Sequence, residues 1–415
     1  MSSTDLTRDS SPAPGTSPHK GETPSQPQKL PMLALLALAT AVFITSLTET
    51  LPAGLLPAMG GDLGVSESAT GQTVTIYALG TVLTAIPLST ATAGWRRRRL
   101  LLAAMAGFAL ANTVTALSTY YPLTMAARFA AGVAAGLAWA LLAGYARRMA
   151  PAHLQGKAIA VAMAGIPVAL SLGVPAGTFI GKVISWQAAF LLMTGLTLIL
   201  LGWILAAVPD YPGQRPEKGS SPSMLSTLKV PGVTPVLAVT LVFVLAHTIL
   251  YTYIASFLDH LGMDGQAEIV LLVFGGASLL SIWAVGTLIN RHLRTLMIVS
   301  TLLIAVAGGV LALLAQSPAL AYAAVVLWGL GWGGAPTLLQ TAAGDAGGEQ
   351  ADAAQAMLVT LWNVAMAGGG IVGGILLDAL GTASLPWSVL ILLVPVMAVV
   401  IAARAHGFPA RRNRA

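Results

Sequence analysis

Residues 209–222 read Pro-Asp-Tyr-Pro-Gly-Gln-Arg-Pro-Glu-Lys-Gly-Ser-Ser-Pro, and they belong to the only long polar segment inside an otherwise apolar chain. The sequence is 56% apolar and 9% charged, whereas soluble domains carry about 25% charged residues. A membrane-spanning helix needs about 20 mostly apolar residues, and twelve runs of that kind are present, six on each side of the polar segment. The sequence therefore predicts an all-α membrane protein with twelve transmembrane helices in two pseudo-symmetric six-helix bundles.

The polar segment also sets the domain boundaries. Residues 1–30 are rich in Ser, Pro and Thr and almost lack large apolar side chains, which predicts a disordered tail. The full division is a cytoplasmic tail at 1–30, an N-terminal six-helix bundle at 31–208, a cytoplasmic linker at 209–230, a C-terminal six-helix bundle at 231–405 and a basic cytoplasmic tail at 406–415. Each half carries a tight Arg-rich loop after its second helix, which indicates a weak internal repeat.

The net charge of +6 is explained by topology rather than by nucleic-acid binding. Almost every Lys and Arg falls in a segment on the same side as the two termini; the exceptions are Lys182 and the intrahelical Arg128. Because basic loops mark the cytoplasmic face of a membrane protein, both termini are expected to be cytoplasmic. The basic residues are expected to contact lipid headgroups, and no nucleic-acid partner is expected.

Several kinds of chemistry have no support in the sequence. The chain has no Cys, so disulfides and thiol chemistry are excluded. The six His residues lie far apart and form no H-E-x-x-H pattern, and no P-loop is present. Two G-x-G-x-x-G matches, at 329–334 and 368–373, lie inside apolar helical runs and are not nucleotide sites. No catalytic residue, metal or cofactor is therefore expected, and the protein is not expected to be an enzyme.

Two charges lie deep inside predicted helices, Glu49 in the first and Arg128 in the fourth. Glu49 lies about 12 Å below the outer end of its helix and Arg128 about 10 Å below the same surface, at 1.5 Å per residue. A charge in hydrocarbon needs a partner, a proton or a water-filled cavity. The shared depth indicates a proton-coupling pair in which Glu49 carries the proton and Arg128 tunes it.

Two other interpretations of this pair remain open. Glu49 and Arg128 could form a static ion pair that only fixes two helices together. Glu49 could also bind a cationic substrate directly, which is compatible with a coupling role.

A second set of polar or aromatic residues could line a central cavity, because each lies within an apolar helix. His247 and Tyr251 are one turn apart in the seventh helix, and Trp139 shares a face of the fourth helix with Arg128. Each could equally form hydrogen bonds between helices. The predicted lining residues are Gln72, Tyr77, Trp139, His247, Tyr251, Gln340 and Asn363.

The fifth helix is unusually rich in Gly and Pro. Glycines at i, i+4 spacing let a neighbouring backbone approach closely, and prolines bend a helix. Taken alone, this pattern indicates only helix packing. The residues concerned are Gly165, Pro167, Gly173, Pro175 and Gly177.

These motifs together resemble the major facilitator superfamily, in particular its bacterial drug:proton antiporter branch with sugar- and nucleoside-efflux relatives. Arg128 to Gly132 is similar to the R-x-x-x-G motif of the fourth helix, whose Arg is associated with proton coupling in the family. The segment from Gly165 to Gly181 is similar to the Gly- and Pro-rich motif of antiporters rather than symporters. The resemblance covers about residues 31–405.

The resemblance implies a secondary transporter in the bacterial cytoplasmic membrane that is monomeric and exports a small organic compound, a drug or an antibiotic, in exchange for protons. The alternative is proton-coupled efflux of a sugar, nucleoside or similar metabolite, and abundant aromatic contacts would favour the drug. A non-transporting sensor or membrane-embedded enzyme is a third class. One departure stands out: residues 88–99 carry the arginines of the family's loop after the second helix but no Asp or Glu, so a cytoplasmic charge lock must be weaker or built from hydrogen bonds.

Overall fold

The computed structural model describes residues 30–92, 94–151, 154–213, 224–263, 265–314 and 317–409. Most of the predicted N-terminal tail, part of the predicted linker and the end of the basic C-terminal tail lie outside the described residues.

Every regular element in these ranges is helical. In chain order the α-helices are α1 Met32–Thr50, α2 Leu56–Leu63, α3 Glu67–Ala91, α4 Arg97–Leu117, α5 Tyr121–Arg148, α6 Gln155–Met163, α7 Gly165–Val168, α8 Val174–Val183, α9 Trp186–Ala207, α10 Met224–Leu228, α11 Val233–Thr252, α12 Ile254–His260, α13 Ala267–Leu313, α14 Pro318–Trp332, α15 Ala335–Gly347, α16 Ala351–Leu380 and α17 Ser384–Ala402. Two 3₁₀ turns, Leu51–Gly54 and Gly348–Gln350, and a π-helical turn, Ala169–Gly173, interrupt this series.

Eleven segments of the described chain are long and apolar enough to cross a membrane. Helix α13 supplies two of them, 267–289 and 291–313, because its backbone leaves the helical region at His292, at the start of the second span. Helix α3, with 25 residues, is also long enough but is rich in threonine and is not among the eleven. With α3 as the twelfth, the fold-class prediction is confirmed; only helices of this kind satisfy their own backbone hydrogen bonds in lipid.

The two halves repeat the same packing detail. In the first half, α3 and α5 approach so closely that a side chain at Gly132 would overlap the α3 backbone, and the Thr81 hydroxyl donates to the carbonyl of Gly132 at 3.1 Å. In the second half, α13 and α14 approach in the same way at Gly329, and the Ser278 hydroxyl donates to its carbonyl at 3.2 Å. These contacts confirm that the bundles are pseudo-symmetric.

We call the end of the molecule at which α1 begins and α17 ends the near side, and the opposite end the far side. The halves pack extensively at the far side, where α3 meets α16, α8 meets α13, and α2 meets α12. At the near side, no comparable packing joins α5 or α6 to α15 in the described part of the chain. The gap between the halves is therefore closed at the far side and opens toward the near side.

The contacts that close the far side form what we call the far-side seal. At its centre the Gln72 amide of the first half donates to the carbonyl of Gly370 in the second half at 3.1 Å. The Tyr253 hydroxyl donates to the carbonyl of Ser68 across the gap at 3.4 Å and to that of Gly370 within its own half at 2.8 Å. Three further bonds complete the seal: Thr75 Oγ1 to the Ala367 carbonyl, Ser171 Oγ to the Gly275 carbonyl, and the Lys182–Glu268 ion pair.

Candidate functional site

Glu49 lies one residue before the end of α1, where the helix tightens into the 3₁₀ turn that begins at Leu51. Its side chain is 9% exposed. No hydrogen bond or ion pair joins its carboxyl group to any residue in the described ranges, and its oxygens are not fully enclosed. A carboxyl group thus lies almost buried at the end of α1 without a partner.

Arg128 is completely buried in α5. Its Nε donates to the carbonyl of Thr73 at 3.3 Å, and its guanidinium carbon lies 5.0 Å from the ring centroid of Tyr77 and 5.9 Å from that of Phe190. Both terminal nitrogens, Nη1 and Nη2, are enclosed and have no hydrogen-bond partner. The positive charge is therefore held by two aromatic faces and one carbonyl, with two donors left free.

The structure places Glu49 and Arg128 close enough to interact electrostatically, but no ion pair joins them within 4.0 Å in the described residues. The static pair left open by the sequence is thus not formed in this state. A buried Asn112 near Thr48 adds to the unsatisfied polar groups, because its Nδ2 donates to the Thr48 hydroxyl at 3.1 Å while its Oδ1 has no partner.

The second half carries rings where the first half carries charges. We call this set the aromatic cluster: Phe243, His247, Tyr251, Phe274, Trp328, Trp332 and Trp362. The His247 ring stacks on that of Trp332 with a centroid distance of 3.4 Å and an interplanar angle of 6°, and the Trp328 indole N–H donates to Nδ1 of His247 at 3.0 Å. Trp362, half-buried on α16, contacts Trp332 with a centroid distance of 5.5 Å.

Of the seven predicted lining residues, the structure brings two, His247 and Tyr251, into the aromatic cluster. Tyr77 is fully buried and donates to the carbonyl of Thr45 at 3.1 Å, so it packs α3 against α1. Gln72 belongs to the far-side seal. The other three are a half-buried Trp139, an exposed Gln340 and an Asn363 that is 8% exposed.

The glycines of the predicted antiporter motif serve as contact points. Side chains at Gly165, Gly173 and Gly177 would collide with α1 or the turn that follows it. Pro175 begins α8 directly after the π-helical turn, and Pro167 lies in α7. The structure thus accounts for the glycines by close packing on α1, and their link with antiport remains a prediction.

An acid that the sequence analysis missed completes the Arg-rich loop before α4. The carboxylate of Asp210, which follows α9, pairs with Arg96 at 2.5 Å and accepts from the backbone N–H of Arg98 at 3.2 Å. Partial burial raises the pKa of the Asp210 carboxyl, but the bonds from Arg96 and Arg98 and their charges outweigh this and lower it below its ordinary value. The acid comes from the far end of the half-sequence, so spacing within residues 88–99 could not reveal it.

No group of three or more His, Asp or Glu side chains that could hold a metal ion occurs in the described ranges.

Comparisons with known proteins found a family, a relative in sequence and similar solved structures. A family model described as Major Facilitator Superfamily matches residues 38–369. A protein of Pseudomonas aeruginosa named transcription regulatory protein OpdE is 29% identical over 376 residues, which are 89% of this chain and 94% of that protein.

Two solved transporters are similar in structure. One is a bacterial homolog of the human lysosomal transporter Spinster in an inward-facing, unoccupied conformation, with a TM-score of 0.72, 12% identity and coverage of 95% of this chain and 100% of that one. The other is the human organic anion transporter MFSD10 (TETRAN), with a TM-score of 0.69, 16% identity and coverage of 90% and 100%. At these identities the likeness concerns the fold alone.

Proposed function

Because the chain belongs to the Major Facilitator Superfamily, we propose that it is a carrier that exports a small organic compound, a drug or an antibiotic, in exchange for protons by alternating access. The observation that carries this proposal is the carboxyl group of Glu49, which is almost buried and has no hydrogen bond or ion pair in the described residues. An ionised carboxylate without a partner is costly at this depth. Glu49 therefore holds a proton in this state.

The free donors of Arg128 supply the second half of the proton cycle. Its enclosed Nη1 and Nη2 have no partner. Leaving a buried donor without a partner destabilises the protein by about 1–3 kcal/mol. A movement that brings Glu49 against these nitrogens stabilises the ionised carboxylate, so the proton leaves. Substrate binding in the open gap is the event that we expect to drive this movement.

The orientation in the membrane is part of the same proposal. Basic residues are concentrated at the near side, which is typical of the cytoplasmic face. The state described is then open to the cytoplasm and closed to the outside, in a bacterial cytoplasmic membrane, with a single chain as the working unit. A compound enters from the cytoplasm and is released on the other side of the membrane.

The aromatic cluster supports a compound with a flat ring, such as a drug, over a sugar, since flat rings favour flat, apolar partners. A non-transporting sensor is the second candidate, and the name of the Pseudomonas aeruginosa relative favours it. The almost buried, partnerless Glu49 favours transport, because a sensor has no need of an exchangeable proton there.

Everted bacterial membrane vesicles with an acidic interior test the proposal. Candidate compounds are added, and a pH-sensitive dye reports the proton release that accompanies uptake. We expect release with the wild type, none with Glu49→Gln, and partial release with Glu49→Asp, which keeps an ionisable group. Glu67→Gln, an acid at the far-side start of α3, is the control and retains full release.

Proton release that survives in Glu49→Gln contradicts the coupling role of Glu49. Absence of release across a broad panel of compounds, with wild-type protein present in the vesicles, contradicts proton antiport and favours the sensor.

A further inference from the structure

We infer that the aromatic cluster binds the ring system of the transported compound, and that this compound is planar, aromatic and carries a hydrogen-bond acceptor. This inference rests on the proposed function, because it assumes that the open gap receives a substrate. It adds the half of the molecule that holds the substrate and the chemistry that is recognised.

The hydrogen bond between Trp328 and His247 fixes which nitrogen of the imidazole carries the hydrogen. An indole N–H can only donate, so Nδ1 of His247 must accept. The imidazole is then neutral and carries its hydrogen on Nε2. Nε2 has no partner in the described residues and is not among the enclosed unpartnered atoms, so the open edge of the ring presents an N–H donor.

Helix α16 relates the aromatic cluster to the gap between the halves. Helix α16 contacts α3 through Ala367 and Gly370, which belong to the far-side seal. Asn363 lies one turn nearer the opening on the same face of α16, where the halves begin to separate. Its neighbour Trp362 is half-buried and touches the cluster through Trp332. Trp362 is thus one position along α16 from the face that meets α3, and the cluster lies beside the closed end of the gap.

The matching helix of the first half, α5, lacks the two tryptophans of α14. The repeated contacts of Gly132 and Gly329 align α5 with α14. In that alignment the positions of Trp328 and Trp332 correspond to Ala131 and Ala135 in the first half. The first half has methyl groups at these positions, so the two rings, although buried in the core of the second half, are not a requirement of the shared fold.

The ring faces and hydrogen-bond donors of the cluster indicate which ligand it binds. The faces of His247 and Trp332 are occupied by other rings, which leaves the half-buried Trp362 as the ring available for stacking. The N–H edge of His247 attracts an acceptor such as a carbonyl oxygen and repels a cation. The enclosed hydroxyl of Tyr251, which has no partner, is a second donor that an acceptor can satisfy after a small side-chain rotation.

Equilibrium dialysis of the purified full chain in detergent, without a proton gradient, tests the inference with three planar probes. Coumarin has a carbonyl acceptor, naphthalene has none, and N-methylquinolinium is a cation without an acceptor. We expect saturable binding of coumarin about 5–10-fold tighter than that of naphthalene, the factor expected for one hydrogen bond, and the weakest binding for the cation.

Four variants assign the binding to residues, each checked for folding by its thermal transition. Trp362→Ala weakens coumarin and naphthalene alike, whereas Trp362→Phe retains most of the binding because it keeps a ring. Trp328→Phe removes the N–H that positions His247, so it reduces the preference for coumarin and leaves naphthalene unchanged. Trp95→Phe, at an exposed near-side position, is the control and changes neither.

Equal binding of coumarin and naphthalene to the folded wild type overturns the inference, as does stronger binding of the cation. Unchanged binding in Trp362→Ala overturns it too. The proton proposal is tested separately, because coumarin still binds to Glu49→Gln if the cluster is the site, whether or not that variant releases protons.

Discussion

At Gly132 a single hydrogen atom in place of a methyl group decides how closely two helices approach. A methyl group there would overlap the carbonyl of Tyr77 on α3, which belongs to the backbone and cannot rotate away. The same contact holds α13 and α14 together at Gly329. In lipid no hydrophobic effect drives helices together, so close contact between small residues supplies much of the association.

Gly132→Ala is therefore expected to destabilise the protein by about 1–3 kcal/mol, the usual effect of an inserted methylene in a packed interior. Gly144→Ala is the matched control on the same helix, because no atom lies within 4 Å of the added methyl. It is expected to be neutral or slightly stabilising, since Ala favours a helix over Gly. Thermal unfolding in detergent compares the two variants, and equal transition temperatures would show that the contact at Gly132 contributes nothing.

Residue by residue, the sequence identified the buried charges but did not predict which neighbours the polar side chains contact. The depth of Glu49 and Arg128 followed from helix length and apolar runs, and both are buried. Tyr77 and Gln72 were expected at a cavity wall, yet one packs against α1 and the other closes the far side. A polar side chain in an apolar helix must find a partner, but which neighbour provides it depends on tertiary packing that one sequence does not reveal.

Among the elements, α4 shows how a helix end is stabilised from a distant part of the chain. Its first turn carries Arg97, Arg98 and Arg99, and positive charge at a helix N-terminus opposes the helix dipole. Arg96 at the N-cap makes no side-chain capping bond. The carboxylate of Asp210 supplies both the missing negative charge and an acceptor for the N–H of Arg98.

Asp210→Ala is expected to loosen this end of α4. Loss of a capping residue costs about 0.5–2 kcal/mol, so the first-turn amides of α4 should exchange with solvent about 2–30-fold faster. Because the pKa of Asp210 is lowered, its stabilising effect is present at neutral pH and is lost as the pH falls through that lowered value. Hydrogen–deuterium exchange at neutral pH measures the effect, with the exposed near-side Glu349→Ala as control; equal rates in α4 would contradict the capping role.

The aromatic cluster shows the same limit at the scale of elements. Its rings come from α11, α13, α14 and α16, so no single stretch of sequence contains the pattern. The spacing of Trp328 and Trp332, one turn apart on α14, was a visible signal. Its meaning appears only when the halves are aligned and Ala131 and Ala135 are found at the matching positions.

On the scale of the whole molecule, the far-side seal decides which side of the gap is open. Its centre is built from small residues and hydrogen bonds between the halves: a side chain at Gly71 would collide with the Tyr253 ring, and the Gln72 amide reaches the carbonyl of Gly370. The Lys182–Glu268 pair lies at the rim, where the lysine side chain is 49% exposed. Exposed pairs contribute about 0–1 kcal/mol, so the buried bonds of Tyr253 hold the seal more firmly.

Tyr253→Phe is expected to shift the protein toward a state that is open at the far side. The variant loses the bonds of the Tyr253 hydroxyl to Ser68 and Gln72 across the gap, worth about 1 kcal/mol, which changes the ratio of the two states by about fivefold. The chain has no Cys, so Gly61→Cys and His260→Cys place one spin label on each half without further changes. Electron–electron distance measurements in lipid nanodiscs then report the separation of α2 and α12.

The wild type should give one short distance, and Tyr253→Phe should add a longer one. Lys182→Met should add less of it, and Tyr120→Phe, at an exposed far-side position, none. If Lys182→Met opens the far side and Tyr253→Phe leaves the distances unchanged, the seal depends on its rim, and buried hydrogen bonds do not control the equilibrium between the two states.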